Sequence, residues 1–576
     1  MSEVTVQTEQ IDDIPLLVKH QQVMGIAEGI DAVVKRHGNR VGLSLGWMVV
    51  GWLSYILSES DHRLSFVEEW AVEHLQTLNG VMPGPVLAQD FSDDRLGEAL
   101  RILSLDAVWE AIEGQLTQRL VRVYELPQEI ARIDTTTVSL YHDSEGSELI
   151  AYGHSKEHRP DLAQIKVLML TLDPLALPAV TMVLPGNRAD DGLYIPAIRT
   201  AQASLPEKEL LYVGDSKMEA LATRAYVTRT GGYYLMPLSQ KGAQGQLLAA
   251  LLAQGFPEGT EGAAVSAREQ DEAGQASWLA QGWETERQQA FITGGEPLEW
   301  PERVLLVYSP TLAQSGYRGL EQRVQAAMDK LGRLTPEPGR GQRQYRQREL
   351  LQTEVEAILT QHRVTDFLQV QFHPQVQERR RRRYRERPAH TETIVRYQLT
   401  VTQDEAALQA AYRTLGWRLF VTNAPRTRLS LADAVRVYRG SVPMIERLWS
   451  RLKGCPLGLR PVFVRRDDHL LGLVRLLSLA LRILTLIEFV VRRSLQTDGE
   501  TLTGLFPGNP TRATDRPTSE RLLRAFKGVS LSIIDLPAQH IRYVTPLSPL
   551  QNRILRLLTF SDSIYTDWAF PRPNPP

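Results

Sequence analysis

The chain is 576 residues long, enough for roughly three to four domain-sized units. Hydrophobic residues make up 43% and charged residues 23% of it, the balance of a globular protein with a large core and not of a disordered chain. The net charge of −2 excludes nothing by itself; a single cysteine, Cys455, excludes a disulfide framework and a multi-cysteine zinc site and fits a reducing compartment.

The N-terminal stretch MSEVTVQTEQIDDIP is acidic and polar, so no signal peptide is expected. Residues 1–125 read as a helical domain. Gln22–Arg36, Gly46–Ser58, Leu64–Leu78 and Asp94–Arg119 carry apolar residues at helical spacing. The pattern then changes. ARIDTTTVSLY (131–141), AQIKVLMLTLD (163–173) and LPAVTMVLP (177–185) predict three strands. A helix over 192–203, a short strand LLYVG (210–214), a helix over 217–226 and a strand over 233–238 follow. Strands and helices in this order predict an α/β fold, a mixed sheet with flanking helices, over 126–240. It is also the element order of an RNase H-like fold.

Residues 241–395 break the alternation and read as an inserted subdomain, with Gly- and Gln-rich helical pieces, a strand over 304–308 and a helix over 320–331. Two arginine-rich patches lie in it, 340–348 and 379–387, the second with seven arginines in nine residues. The sheet pattern returns over 396–495 with WRLFVT (417–422), a helix over 432–438 and another beginning near Pro443. The most apolar segment, Leu470 to Val491, is interrupted by Arg475, Arg482 and Glu488. A bilayer centre penalises each of these, so a buried core helix is predicted and no membrane partner. Residues 496–576 form a turn-rich C-terminal region with a short helix near 520–526.

Asp134 falls in the middle of the first predicted strand and Asp215 just past the fourth. Were those strands parallel neighbours, both carboxylates would reach the same end of the sheet, where open α/β sheets bind ligands. Two such carboxylates repel each other unless a cation lies between them, and Mg²⁺ favours this kind of oxygen donor. A third acid on a helix over the sheet would complete a two-metal site. Glu446 is positioned for that role, three residues into the helix begun by Pro443, with Lys453 almost two turns further along the same face. From Arg436 to Arg466 there are eight basic residues and Glu446 is the one acid, an arrangement suited to handling a polyanion. Each feature also has an ordinary reading: a sheet-end aspartate, a helix cap, or a solvated charged face.

Five stretches, taken together, resemble bacterial insertion-sequence transposases of the DDE type, the group whose glutamate lies in a Tyr–Arg–Glu–Lys signature. They are ARIDTTTVS, YGHSKEHRPDLAQIKVLML, LLYVGDSKM, YRGSVPMIERLWSRLKG and RRDDHLLGLVRLLSLALRILTLIEF. The resemblance implies an RNase H-like core and a catalytic, metal-binding triad of Asp134, Asp215 and Glu446 holding two Mg²⁺ or Mn²⁺ ions. It implies double-stranded DNA, both element ends and target, as partner; a homodimer on paired ends; and a bacterial cytoplasmic, nucleoid-associated location. The N-terminal domain would recognise element ends. One departure stands out. The family places its tyrosine seven residues and its arginine four residues before the glutamate, whereas here Tyr438 is eight before, Arg439 seven before, and Val442 fills the arginine slot. Either one residue is inserted near Gly440 or Arg439 substitutes. Tyr438, Arg439, Arg447, Lys453, Lys156, Arg159, Arg380 and Arg382 are the expected DNA contacts. For Lys156 and Arg159 a self-contained polar hairpin is the alternative, and for the 379–387 run a solvated loop or an RNA contact. His154 and His158 find no zinc partner in the pattern, and Trp449 reads as core. Rival functions are an inactive, domesticated DNA-binding protein and an RNase H-like nuclease without strand transfer.

Overall fold

The computed structural model of the chain describes residues 5–35, 42–142, 144–255, 263–270, 276–293, 295–339, 341–382, 389–440, 442–536 and 539–567. A short strand β1 (Thr5–Gln10) leads into helices α1 (Ile14–Met24), α2 (Ile26–Val33), α3 (Leu45–Glu59), α4 (Val67–Glu73), α5 (Leu75–Val81), α6 (Asp93–Ser104) and α7 (Asp106–Tyr124). The helix expected over 94–119 is two helices, because Leu105 is extended (φ −72°, ψ 118°) and breaks the ladder between them.

The sheet follows: β2 (Ile130–Leu140), β3 (Ala163–Leu172), β4 (Leu177–Pro185), α8 (Tyr194–Ser204), β5 (Leu211–Val213), α9 (Leu221–Arg229) and β6 (Tyr233–Pro237). After α10 (Gly242–Gln254) come β7 (Ala263–Gln270), β8 (Ala276–Thr293), β9 (Glu296–Tyr308), α11 (Pro310–Leu334), α12 (Arg348–His362), β10 (Leu368–Arg381), β11 (His390–Gln403), α13 (Glu405–Thr414) and β12 (Trp417–Thr422). The chain ends with α14 (Leu431–Gly440), α15 (Val442–Lys453), α16 (Asp467–Asp498), α17 (Ser519–Arg524), β13 (Ser530–Leu536), β14 (Gln539–Val544), α18 (Pro549–Leu557) and α19 (Ser563–Thr566).

Among the described residues, nine strands make one mixed sheet in the order β4-β3-β2-β5-β6-β12-β9-β8-β7. β2 pairs antiparallel with β3 and parallel with β5, and β5 pairs parallel with β6. The mixed α/β architecture expected from the sequence is present. The inserted region departs from expectation. Instead of standing apart, β7, β8 and β9 extend the sheet through β12, which lies antiparallel between β6 and β9. Glu302 locks this extension: buried, it accepts from Arg224 of α9 (2.6 Å), from Arg287 and from the Tyr234 hydroxyl of β6. α11, α12, β10 and β11, joined by Leu408 of α13, keep a separate core, built on Leu320, Val324, Leu331, Leu351 and Leu359.

Alternation along the strands divides the main core in two. Tyr212, Tyr234, Met236, Leu306 and Val421 face the large core, whereas Leu211, Val213, Leu235, Leu305, Val307 and Phe420 face a smaller one closed by Leu431, Ala434 and Val435 of α14. The large core also takes in the N-terminal helices and the C-terminal region. β1 pairs with β13 from Thr5↔Asp535 to Gln10↔Ser530, and Tyr565 donates to the Asp12 carbonyl at 2.9 Å.

At its centre runs α16. It is long and apolar enough to cross a membrane, and 94% of its most apolar stretch is buried within the fold, as the buried-helix expectation requires. Contact with α6 is so close that a Cβ on Gly472 would sit 2.1 Å from the Leu100 carbonyl oxygen. The charges that interrupt α16 all find partners: Arg475 bonds the Leu103 and Ser104 carbonyls and Asp106, and Arg482, fully buried, meets Glu113 of α7 at 2.7 Å. Burial pushes the Glu113 carboxyl up to about 7 against the pull of Arg482. Two of the Arg482 nitrogens, Nε and Nη1, have no hydrogen-bond partner among the described residues. Removing one member of such a pair strands the other, whereas removing both is well tolerated. Glu113→Gln or Arg482→Met alone should therefore lower unfolding stability by about 3–5 kcal/mol in urea titrations, and Glu113→Leu combined with Arg482→Met should recover most of the loss. A double variant no more stable than either single one would contradict this.

Candidate functional site

The parallel register of β2 and β5 builds the site. Arg132 lies opposite Val213, so Asp134 and Asp215 each stand two residues beyond the same paired position. Strands in a sheet lie about 4.8 Å apart, which brings the two carboxylates together. Gly214 permits the turn that follows β5, since a Cβ there would meet Met218 Sδ at 2.6 Å. Beyond it Asp215 caps a short 3-10 turn, its Oδ1 accepting from Lys217 N at 2.9 Å and from the Tyr194 hydroxyl of α8 at 2.8 Å.

Asp134 is held from two sides. Thr135 N donates to Oδ1 at 2.8 Å and the Trp449 indole N–H of α15 donates to Oδ2 at 2.7 Å. Burial raises its pKa above the ordinary carboxylate value. The Trp449 bond, the Lys156 charge and the Thr135 N–H oppose that shift, while Asp215 adds to it. Asp134 thus feels Asp215. The Tyr194 phenol is pushed up by burial first and then by Asp215, with Asp190 and Asp134 contributing.

Several predicted DNA contacts surround this pair. Lys156 Nζ donates to Thr135 Oγ1 at 2.8 Å and to the Thr135 carbonyl, beside Asp134. Tyr438 packs edge-on against Phe420 at 4.8 Å, and its phenol is raised by burial, with Asp215 and Asp134 among the charges acting on it. Arg132 ties the Val437 carbonyl of α14 to β2 at 2.7 Å and pairs with Asp173, which fixes that helix over the sheet. Arg439 is half-buried, its guanidinium lowered by burial and by Arg418. Ser441, in the turn where the signature departs from the family spacing, lies outside the described residues.

α15 buries Ile445, Leu448, Trp449 and Leu452. Glu446 is exposed one turn before Trp449. Among the described residues no three His, Cys, Asp or Glu side chains converge closely enough to hold a metal ion. The two aspartates are brought together, and Glu446 is not gathered with them. Arg447 lies on another side of the helix, ion-paired to Glu488 of α16 and, at 3.6 Å, to Glu520. Arg451, buried, reaches the same two acids and Ser519 Oγ. These pairs seat α15 on α16. Arg447 is placed for anchoring the helix, and its guanidinium is committed to those acids.

Lys453 meets Glu157 at 2.9 Å, as does Arg460, so the GHSKEHRPD segment is tied down to the end of α15. Arg159 is exposed and makes a two-pronged pair with Asp161, 2.8 and 2.7 Å, inside that same segment. Arg380 and Arg382 are exposed on and beside β10, far along the chain from the aspartates; residues 383–387 of their run lie outside the described residues. Tyr194 is a functional neighbour that sequence reasoning passes over. Trp449 is core, as expected, and also a donor to Asp134, a role that no local pattern signals.

Partial burial works to raise the Glu157 pKa, but Lys453, Ser139 and Arg460 hold it below the ordinary value. A depressed folded-state pKa means that the contribution is complete above the ordinary carboxylate range and is lost as pH falls through the lower folded value. Glu157→Gln should loosen residues 152–162, seen as roughly tenfold faster amide exchange there at neutral pH, with global stability changed by only about 1 kcal/mol. In the native protein the same loosening should appear only below the usual carboxylate range. Unchanged exchange in the variant would show that the pairs do not hold the segment.

No protein-family model matches the chain, and no curated protein is significantly similar to it. Among solved structures, one described as a cryo-EM structure of the piggyBac transposase synaptic complex with hairpin DNA aligns with 89% of this chain and 79% of that chain, at 8% identity and a TM-score of 0.31. A likeness of that size carries no argument about fold or function.

Proposed function

We propose that the chain is a DNA transposase of the DDE type, which cuts the ends of an insertion sequence and joins the freed 3′-hydroxyls to target DNA. The observation that carries this reading is the matched placement of Asp134 and Asp215 beyond paired positions of two parallel strands. Three antiparallel strands followed by helix, parallel strand, helix and parallel strand support an RNase H-like core. The five motifs shared with bacterial insertion-sequence transposases support the finer assignment.

The donor set suits a divalent cation. Two carboxylates that raise each other's energy are relieved by a positive charge between them. Mg²⁺ characteristically takes one or two carboxylates and completes its shell with water and phosphate oxygens. Asp134 and Asp215 would hold the two Mg²⁺ or Mn²⁺ ions, with Glu446 as the third ligand supplied from α15. Bound there, the metal would activate an attacking oxygen and neutralise charge on the leaving one. The chain's own residues do the positioning. Trp449 and the Thr135 N–H orient Asp134, and Tyr194 and the Lys217 N–H orient Asp215. Lys156 and Arg439 offer cations to the phosphates, and Tyr438 offers a phenol to the DNA. A homodimer on paired ends and a nucleoid location complete the proposal.

A second reading has one observation in its favour. Glu446 stands exposed and apart from the aspartates, as it could in a descendant that binds DNA without cutting it. Cleavage of a labelled duplex carrying the element ends, with Mg²⁺ or Mn²⁺, separates the two. Wild-type protein should nick at the element boundary only with metal, and Asp134→Ala, Asp215→Ala and Glu446→Ala should each reduce nicking roughly a hundredfold or more while retaining binding. Binding without cleavage by the wild type would favour the non-catalytic descendant. Cleavage that survives Glu446→Ala would move the third ligand elsewhere.

A further inference from the structure

The two arginine-rich patches, at 340–348 and 379–387, lie more than thirty residues apart in the chain, and Arg346 of the first and Arg381 of the second meet at Glu392. β10 and β11 pair antiparallel from Leu368↔Gln403 to Arg381↔His390 and form a ribbon that joins no other strand among the described residues. Its base is packed, with Leu368 buried and Phe372, Tyr397, Leu399 and Val401 against the core of α11 and α12. Further out, every residue of β10 from His373 to Arg381 is exposed, a reach of roughly 30 Å at about 3.4 Å per residue. The segment before α12 runs along β11, where Tyr397 N donates to Tyr345 O at 3.1 Å. Arg348 lies over the Phe372 ring at 5.4 Å. Arg346 is close enough to Glu392 to act on it alongside Arg381, whose Nε donates to that carboxylate at 2.8 Å.

Register and charge say what such a ribbon fits. Side chains alternate across a strand, so Gln375, Gln377, Arg379 and Arg381 share one face of β10, with Arg396, the buried Ile394, Glu392 and His390 opposite them on β11 and Gln398 beyond, opposite His373. Four arginines, Arg379, Arg380, Arg381 and Arg396, stand against Glu378 and Glu392 in the two strands, with Arg382 following β10, and Glu392 is paired with Arg381. A two-stranded ribbon fits the major groove of B-form DNA, and arginine and glutamine are the side chains that pair with guanine and adenine edges there. The major groove of an RNA duplex is too narrow to admit them. We propose that the β10–β11 ribbon is an arm that enters the major groove of duplex DNA on its glutamine and arginine face, with Arg343, Arg346 and Arg348 on the flanking phosphates. The inference rests on the reading of the chain as an enzyme acting on DNA, and it identifies a contact surface separate from the carboxylates.

The test uses the full chain and a duplex several helical turns long, followed by fluorescence anisotropy across a salt series and by protection of guanine N7 from dimethyl sulfate. Arg379, Arg380 and Arg381 changed together to Ala should weaken binding at least about tenfold near 0.15 M salt, flatten the log–log salt dependence by two to three, and abolish guanine protection. Gln375→Ala with Gln377→Ala should reduce discrimination between sequences and leave the salt slope alone. Unfolding at the wild-type temperature confirms that each variant is folded. The arm is overturned if the triple variant keeps wild-type affinity and slope, or if the wild type does not bind duplex. A preference for single-stranded DNA or RNA that the triple variant loses also overturns it, by giving the ribbon a different partner. Failure of the catalytic reading appears separately, as absence of metal-dependent nicking by a wild-type chain whose duplex binding still depends on the ribbon.

Discussion

Parallel pairing of β2 with β5 leaves Asp134 and Asp215 little choice of position. With Arg132 opposite Val213, the two carboxylates leave neighbouring strands at the same level, and the backbone that carries them is hydrogen-bonded in place. Like charges so close in a partly buried setting disfavour their own ionisation. Their surroundings answer with donors and not with a single counter-ion: an indole N–H, a phenol, two backbone N–H groups, and the Lys156 ammonium close to Asp134. For Asp134 these donors and the Lys156 charge favour the ionised form against the burial that opposes it.

Holding that arrangement needs the surrounding helices to keep still, and charge does much of the holding. α15 reaches Asp134 through Trp449, and it is seated by Arg447 and Arg451 on Glu488 and Glu520. α14 is pinned to β2 by Arg132, which donates to the Val437 carbonyl, and the loop before it by Arg303, which donates to the Ala424 and Leu429 carbonyls at 2.9 and 2.7 Å. Buried ion pairs of this kind give little net stability, because desolvation offsets most of the attraction. They do fix one arrangement over its alternatives, since shifting either helix would strand a charge. Apolar burial around α16 supplies the stability on which these pairs depend.

Much of this was legible in the residues and some of it was not. The Thr- and Val-rich strands β2, β3 and β4 appear within a residue or two of the expected bounds, because composition and alternation agree there. Asp134 and Asp215 were legible from their places on strands, and Lys156 from its place between them. β7 and β8 were not, because their sequence, rich in Ala and Gln, carries no strand pattern and the pairing of β7 with β8 and of β8 with β9 decides their state. The roles of Trp449 and Arg447 depend on partners 315 and 41 residues away, beyond the reach of periodicity. Spacing places Glu446 on a helix near the site. Side-chain packing leaves it exposed, and spacing cannot report that.

The most direct test of the account is to locate the cation itself. Replacing Mg²⁺ with Fe²⁺ in a solution of the protein and adding ascorbate and peroxide generates hydroxyl radicals wherever the metal binds, which cut the nearby backbone. The account predicts cuts next to residues 134 and 215 and in α15 near 446, competed away by Mg²⁺ and lost in Asp134→Ala. Cuts confined to other regions, or a pattern that Asp134→Ala does not change, would contradict it.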